Sequence, residues 1–130
     1  MSLVSTPMSV GELLDKVTIL EIKSEKIKDA DKLKNIEYEL QLLLETWEKT
    51  GLSNEQTEAL KNDLKTVNLK LWKIEDDIRI KEKDRAFDDE FIQLARSVYY
   101  QNDDRANVKK AINQLTGSAL VEEKSYESYK

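Results

Sequence analysis

The chain has 130 residues, of which 39% are hydrophobic and 36% are charged, and its formal net charge is −5. This charge argues against nucleic-acid binding, which needs a basic surface, and no apolar run approaches the length of a membrane span. Cysteine and histidine are both absent, which excludes disulfides, thiol or imidazole catalysis, and metal sites built on either residue.

The first half of the chain predicts two amphipathic helices. Ser9 and Glu12 form a capping box at the start of the first helix, which continues to about Lys28. Its apolar stripe follows helical spacing and consists of Val10, Leu13, Leu14, Val17, Leu20 and Ile27. The second helix carries its stripe from Leu33 to Trp47 and ends at Gly51.

The second half predicts two longer helices and a tail. Ser53 caps the third helix with Gln56 as its partner, and the pattern runs to about Asp84, which gives about 30 residues or roughly 45 Å. The fourth helix is predicted from its cap at Asp88 to Leu115, with Gly117 ending it. Residues 118–130 show little periodicity.

These elements predict an all-α fold, namely an up-down helical bundle of about four helices with one long central helix. The bundle domain spans residues 9–117, and residues 118–130 form a C-terminal tail. Because the connections are short, we expect helices that follow each other along the chain to pack antiparallel.

Four stretches of the sequence resemble a known family: "SVGELLDKVTILEIKSEKI", "NLKLWKIEDDIR", "FIQLARSVYYQNDDRANVKKAIN" and "LTGSALVEEKSY". From about Ser9 to Tyr126, the chain is similar to a family of small uncharacterised helical proteins of bacteria and their phages. The resemblance implies a compact helical domain and brings no assigned activity with it.

Polar side chains interrupt the apolar faces of three helices. The fourth helix starts with a regular apolar stripe, which is then continued by Asn102, Arg105, Lys109 and Asn113. Glu21 falls on the apolar arc of the first helix, and Glu75 and Arg79 flank the seam of the third. An unpaired charge left in a core costs roughly 3–5 kcal/mol, so these groups must pair, reach water or bind something. The candidate site residues are Arg79, Arg105, Lys109, Asn102, Asn113, Glu75, Glu21 and Tyr99.

Three interpretations of these residues stay open. The cations pair with Glu21 and Glu75 in a structural network, or they line a pocket for a carboxylate, a phosphate or a sugar nucleotide. In the third interpretation, the polar face and its neighbouring aromatic residues form an interface with a partner or a second copy. A break in the fourth helix, capped by Asn102 or Asp103, would redirect the residues that follow it.

Two enzyme classes offer analogies without a matching motif. Helical nucleotide pyrophosphohydrolases hold magnesium with paired acidic motifs. Glu12, Asp15 and the acids at 75–77 are of the right type, but the E-E-x-x-E element is missing. Helical chorismate mutases bind a dicarboxylate with Arg and Lys. The order of Arg and Lys along this chain does not match the order in those enzymes.

The sequence thus predicts a cytoplasmic, non-enzymatic assembly or binding module that forms a homodimer. A second apolar stripe on the first and third helices, which four helices alone need not cover, favours the dimer. The alternative is an anion-binding protein, either a binding protein or an enzyme, that uses the Arg/Lys/Glu cluster. We expect no cofactor, no metal, no nucleic acid and no membrane as partners, with a small anionic ligand as the remaining option.

Overall fold

A computed structural model describes residues 2–129, so Lys130, the last residue of the predicted tail, lies outside the described residues. In the described part the chain forms four α-helices and no strand. They are α1 (Val10–Lys26), α2 (Ala30–Thr50), α3 (Glu55–Lys83) and α4 (Asp89–Thr116). The all-α class and the number of helices are therefore confirmed. None of these helices is both long enough and apolar enough to cross a membrane.

The helix ends follow local capping chemistry. The Ser9 side chain accepts a hydrogen bond from the Glu12 amide, and Gly51 and Gly117 end α2 and α4 in the left-handed conformation, which glycine adopts without strain. Asp88 caps α4 through the Phe91 amide. These four predicted ends are confirmed.

The predicted cap of α3 is wrong by one residue. Asn54, and not Ser53, is the N-cap, and its side chain accepts from the Thr57 amide at 2.9 Å. The Thr57 hydroxyl accepts in return from the Asn54 amide at 2.8 Å, so two backbone donors are satisfied reciprocally. Ser53 instead donates to Glu58. The Thr57 side chain takes the place that the sequence pattern assigned to Gln56.

The hydrophobic core lies where all four helices meet around α1. It is built from six buried side chains: Leu13, Leu14, Val17, Trp47, Leu64 and Ile112. The backbone of α1 comes close to each of the other three helices, and α3 and α4 pack along each other. Of the helices that follow each other along the chain, α1 therefore packs with α2 and α3 packs with α4. The packing differs for α2 and α3, because both pack against α1 and their backbones stay apart.

Helix α3 is the longest helix, with 29 residues, and α4 nearly matches it with 28. Helix α4 is continuous through Asn102 and Asp103, so the predicted alternative of a break there is wrong. The residues that follow keep their helical register as a result. This register aims the polar row of α4 at α1.

Candidate functional site

A buried ion pair joins α1 to α4. Asp15 is 1% exposed, and both of its carboxylate oxygens accept hydrogen bonds from the Arg105 guanidinium. Arg105 donates from Nε to Oδ1 at 2.9 Å and from Nη2 to Oδ2. A bidentate pair of this kind fixes the orientation of both side chains, since the planar guanidinium matches the carboxylate. The hydrogen bonds that Arg105 donates to Asp15 raise the pKa of Arg105 above its ordinary value.

Two neutral side chains complete the pair and bring α3 into it. The Asn68 amide donates to Asp15 Oδ1 and to the Thr18 hydroxyl oxygen, both at 3.0 Å. The Thr18 hydroxyl donates to the Asp15 carbonyl oxygen at 2.8 Å. The four residues Asp15, Thr18, Asn68 and Arg105, here named the Asp15 cluster, therefore connect three helices. Because the Asp15 carboxylate accepts hydrogen bonds from both Arg105 and Asn68, its burial costs much less than that of an unpaired carboxylate.

A second ion pair lies one turn further along α4. Lys109 is buried, and its ammonium contacts Glu12 at 2.9 Å and Glu122 of the tail at 2.8 Å. Burial alone would lower the pKa of Lys109, but the hydrogen bonds that its ammonium donates to the two carboxylates outweigh this effect and raise the pKa. Lys109 in turn lowers the pKa of Glu122. The ammonium is thus held charged and is not available as a base.

The first turn of α1 packs directly on α4. The Gly11 amide donates to the Asn113 side chain at 2.7 Å, and the Val10 amide donates to the Ser118 hydroxyl at 3.2 Å. A Cβ at Gly11 would lie only 2.6 Å from the Lys109 carbonyl oxygen. Glycine is therefore required at this position by the close approach of two helices. Asn113 acts as a capping group supplied from another helix.

A cleft of about 550 Å³ opens beside the Asp15 cluster. Helices α1, α3 and α4 form its walls, and the Asp15 cluster lies at one end through Asn68 and Arg105. Its other lining residues are Ile19, Ile22, Lys23, Leu71, Trp72, Glu75, Asp76, Arg79 and Asn102. The cleft therefore has an apolar floor with charged and amide groups around it.

The chain belongs to DUF6165, a family of unknown function. The family matches residues 4–129, which is nearly the whole chain. This confirms the predicted membership of an uncharacterised family. No curated protein and no solved structure matches the chain.

The DUF6165 chain brings some predicted site residues together and separates others. Arg105, Lys109 and Asn113 all face α1, and Asn102 lines the cleft. Tyr99 is 40% exposed and makes ring contacts with Tyr100 and Tyr129. It therefore lies outside both the ion pairs and the cleft.

The predicted acidic partners of the α4 cations are wrong. Glu75 pairs with Arg79 at 3.3 Å on the exposed side of α3, and Glu21 pairs with Lys61 at 3.6 Å. These partners differ because of the register between α1 and α4. Helix α4 contacts the first half of α1, where the Gly11 amide donates to Asn113. Glu21 lies beyond this contact, and Glu75 and Arg79 are neighbours on one helix face. Arg79, Arg105 and Lys109 consequently do not converge on one point.

Asp15, Thr18 and Glu122 were missed as members of the polar cluster. Asp15 lies four residues after Gly11, and Thr18 lies three residues after Asp15. This spacing places all three residues on one face of α1. This spacing could have predicted that Asp15 and Thr18 belong to the polar cluster, but Asp15 was interpreted only as half of an acidic pair with Glu12. No sequence signal marked Glu122, because it lies in a segment without periodicity.

The acidic residues of this chain do not gather into a metal site. Within residues 2–129, no group of three or more carboxylates lies close enough to hold a metal ion. Glu12 and Asp15 instead use their carboxylates on Lys109 and Arg105. The ion pairs account for both halves of the acidic pair that the sequence offered as a magnesium ligand set.

Proposed function

We propose that this protein is a non-enzymatic assembly module that forms a homodimer through the outer part of α3 and α4. The observation that carries the proposal is the burial pattern along these two helices. No residue from 69 to 108 is buried, whereas α3 has buried residues before this segment and α4 has buried residues after it. We name residues 69–108 the α3/α4 arm.

The arm is apolar enough to need a partner. Ile80, Phe87 and Ile92 are 57%, 58% and 49% exposed. A seam between only two helices remains half open to water, because each helix has just one neighbour to cover its apolar stripe. Two arms packed together would make a four-helix bundle, which encloses such a seam. Large apolar side chains exposed in one region commonly mark a protein interface.

The charged cluster supports a structural rather than a catalytic role. Arg105 and Lys109 are each held by carboxylates of the same chain, so their charges are already balanced within the protein. Such buried pairs add little net stability compared with apolar residues, but they fix which helix faces meet. We infer that the Asp15 cluster sets the angle at which the arm leaves the core.

Sedimentation velocity tests the proposed dimer. We expect the wild-type protein to sediment as a dimer and the variants Ile80→Glu and Ile92→Glu to sediment as monomers, because a charge buried in an apolar interface is strongly unfavourable. Tyr38→Glu is the matched control, since Tyr38 is a 62% exposed aromatic on α2, outside the arm. A wild-type monomer at high concentration, or an equal effect of Tyr38→Glu, would contradict the proposal.

A second candidate function is the binding of a small anion. The cleft beside Arg105 is the observation that favours it, since three cationic residues, Lys23, Arg79 and Arg105, line its walls. Lys109 is not among them. This candidate therefore shares only part of the residue set that the sequence pattern indicated, namely Glu75, Arg79, Asn102 and Arg105, and it adds Lys23.

We also propose a cytoplasmic location in a bacterial or phage-infected cell. A sequence without cysteine suits a reducing compartment, and the resemblance to bacterial and phage proteins supports the host. Fractionation of cells that express the protein at its natural level tests the location.

A further inference from the structure

The floor of the cleft is an apolar surface centred on an aromatic ring. Ile19 and Ile22 of α1 and Leu71 and Trp72 of α3 provide it, and all but Ile22 are partly exposed. Its volume of about 550 Å³ lies in the usual range of about 300–1,000 Å³ for small-molecule sites. The Trp72 indole offers a flat face on which a planar ligand can stack.

Several polar groups around this floor are hydrogen-bond donors that have no acceptor partner in the described part of the chain. Arg105 uses Nε and Nη2 on Asp15, which leaves the Nη1 hydrogens free. Among residues 2–129, no hydrogen bond or ion pair engages the Lys23 ammonium, the Asn102 amide or the Trp72 indole N–H. A ligand that brings acceptor atoms would satisfy all four groups.

The placement of the two unpaired charges favours an anion. Arg105 is neutralised by Asp15 and Arg79 by Glu75, while Lys23 has no acidic partner in the described chain. The one lining carboxylate without a partner is Asp76, which is exposed to solvent. Lys23 is a partly buried residue whereas Asp76 is exposed, so water screens a charge beside Lys23 less than one beside Asp76.

We propose that this cleft binds a small planar organic anion. Lys23 holds its carboxylate or phosphate, and the body of the ligand packs on Trp72, Ile19 and Leu71. Arg105 and Asn102 donate to a second polar group at the inner end. The Asp15 cluster fixes the Arg105 guanidinium before the ligand arrives, which reduces the entropy lost on binding. The α3 and α4 walls of the site belong to the arm, but the exposed apolar residues on which the proposed dimer rests, Ile80, Phe87 and Ile92, do not line it.

The two tryptophans allow a direct test by NMR. Trp72 lines the cleft, whereas Trp47 is 5% exposed in the core, and Trp72→Phe assigns the two indole N–H signals. The probe is benzene-1,4-dicarboxylate, with benzene-1,4-dimethanol as the neutral molecule of the same shape. We expect the dicarboxylate to shift the Trp72 signal saturably and leave Trp47 unchanged, and the neutral diol to shift neither.

Two lysine variants on the same helix complete the test. Lys23→Gln removes the cation of the cleft and should raise the Kd of the dicarboxylate about tenfold, the value of one charge-assisted hydrogen bond. Lys16→Gln, at an exposed position outside the cleft, should leave the Kd unchanged. Both variants should sediment as the wild type does. This result distinguishes an effect on ligand binding from an effect on dimer formation.

Several results would overturn the proposal. These are no shift of Trp72 with the dicarboxylate, an equal shift with the neutral diol, or an equal loss of affinity in Lys23→Gln and Lys16→Gln. A change of sedimentation in Lys23→Gln alone would also overturn it, because the cleft would then belong to the dimer interface. Inorganic phosphate tests whether charge without the planar body suffices. A Trp72 shift as large with phosphate as with the dicarboxylate would contradict the role assigned to the ring.

Discussion

Asp15 is the residue on which three helices converge, so its charge should have a large effect on stability. In Asp15→Asn the Arg105 guanidinium keeps its position but loses its counter-charge, and its side chain is only 30% exposed. We expect the free energy of unfolding to fall by about 2–4 kcal/mol, somewhat below the value for a fully buried pair. Urea denaturation of the variant measures this loss.

A double variant distinguishes the net contribution of the ion pair to the free energy of unfolding from the penalty of leaving one partner unpaired. Replacement of both partners, as in Asp15→Leu with Arg105→Met, leaves no buried charge unpaired, so it should recover much of the lost stability. The exposed pair of Lys73 and Asp77 on α3 is the matched control, because Asp77→Asn should cost less than about 1 kcal/mol. Equal losses in Asp15→Asn and Asp77→Asn would contradict the role of burial.

Gly11 should not tolerate even one additional methyl group. A helical Gly→Ala change normally stabilises by up to about 1 kcal/mol, but here the Cβ would lie 2.6 Å from the backbone oxygen of Lys109. We expect Gly11→Ala to destabilise the protein by about 1–3 kcal/mol as α1 and α4 are forced apart. Thermal unfolding measures it. Asn35→Ala, at an exposed position of α2, should change stability by no more than about 0.5 kcal/mol.

At the scale of single residues, the sequence indicated the polar residues of α4 but not the residues of α1 with which they pair. Arg105, Lys109 and Asn113 stand out because they replace apolar residues on a helical stripe. Their partners depend on how far α1 slides along α4, and this offset is set by the contact between Gly11 and α4. Periodicity defines the face of a helix but not its register against a neighbour, so Glu21 was preferred to Asp15.

At the scale of elements, the helices were predictable because local chemistry determines their ends. Ser9, Asp88, Gly51 and Gly117 act within one turn of the chain. The C-terminal tail was not predictable in the same way. It is held by distant contacts, of Glu122 with Lys109 and of the Tyr129 hydroxyl, which donates to Asp103.

The attachment of the tail should depend on pH. Lys109 lowers the pKa of Glu122, so this contact contributes above the unfolded value of 4.5 and is lost as pH falls through the lower folded value. The pKa of Lys109 is raised, so its contribution is complete below 10.5 and is lost only as pH rises through the higher folded value. We expect the NMR signals of residues 118–129 to move toward random-coil positions in acid.

Two glutamine variants identify the group responsible for this change. Glu122→Gln should release the tail already at pH 7, with signals that resemble those of the wild type in acid. Glu123→Gln, a neighbour in the same segment, should leave the tail attached at pH 7. A tail that stays in place in Glu122→Gln would show that Tyr129 alone anchors it. In that case, titration of Tyr129, whose pKa Asp103 raises to about 12, should release the tail in strong alkali.

At the scale of the whole molecule, stability should decrease from the core toward the arm. Leu14, Leu64 and Ile112 are fully buried at 0% exposure where α1, α3 and α4 meet, whereas the α3/α4 arm has no buried residue. Segments with few buried contacts open locally at a lower free energy than the core does. In the monomer, we therefore expect amide hydrogens of the arm to exchange faster than those around the core.

The dimer reverses this gradient, and hydrogen exchange at two protein concentrations detects the reversal. Association stabilises only the segment that forms the interface, so arm protection should rise about tenfold or more once the concentration exceeds the dimer Kd. Amides of α2, whose backbone lies close only to that of α1, should exchange at the same rate at both concentrations. Equal protection of the arm at every concentration would place the interface elsewhere. Protection that rises in α2 as well would show that dimer formation and folding of the whole chain are one event.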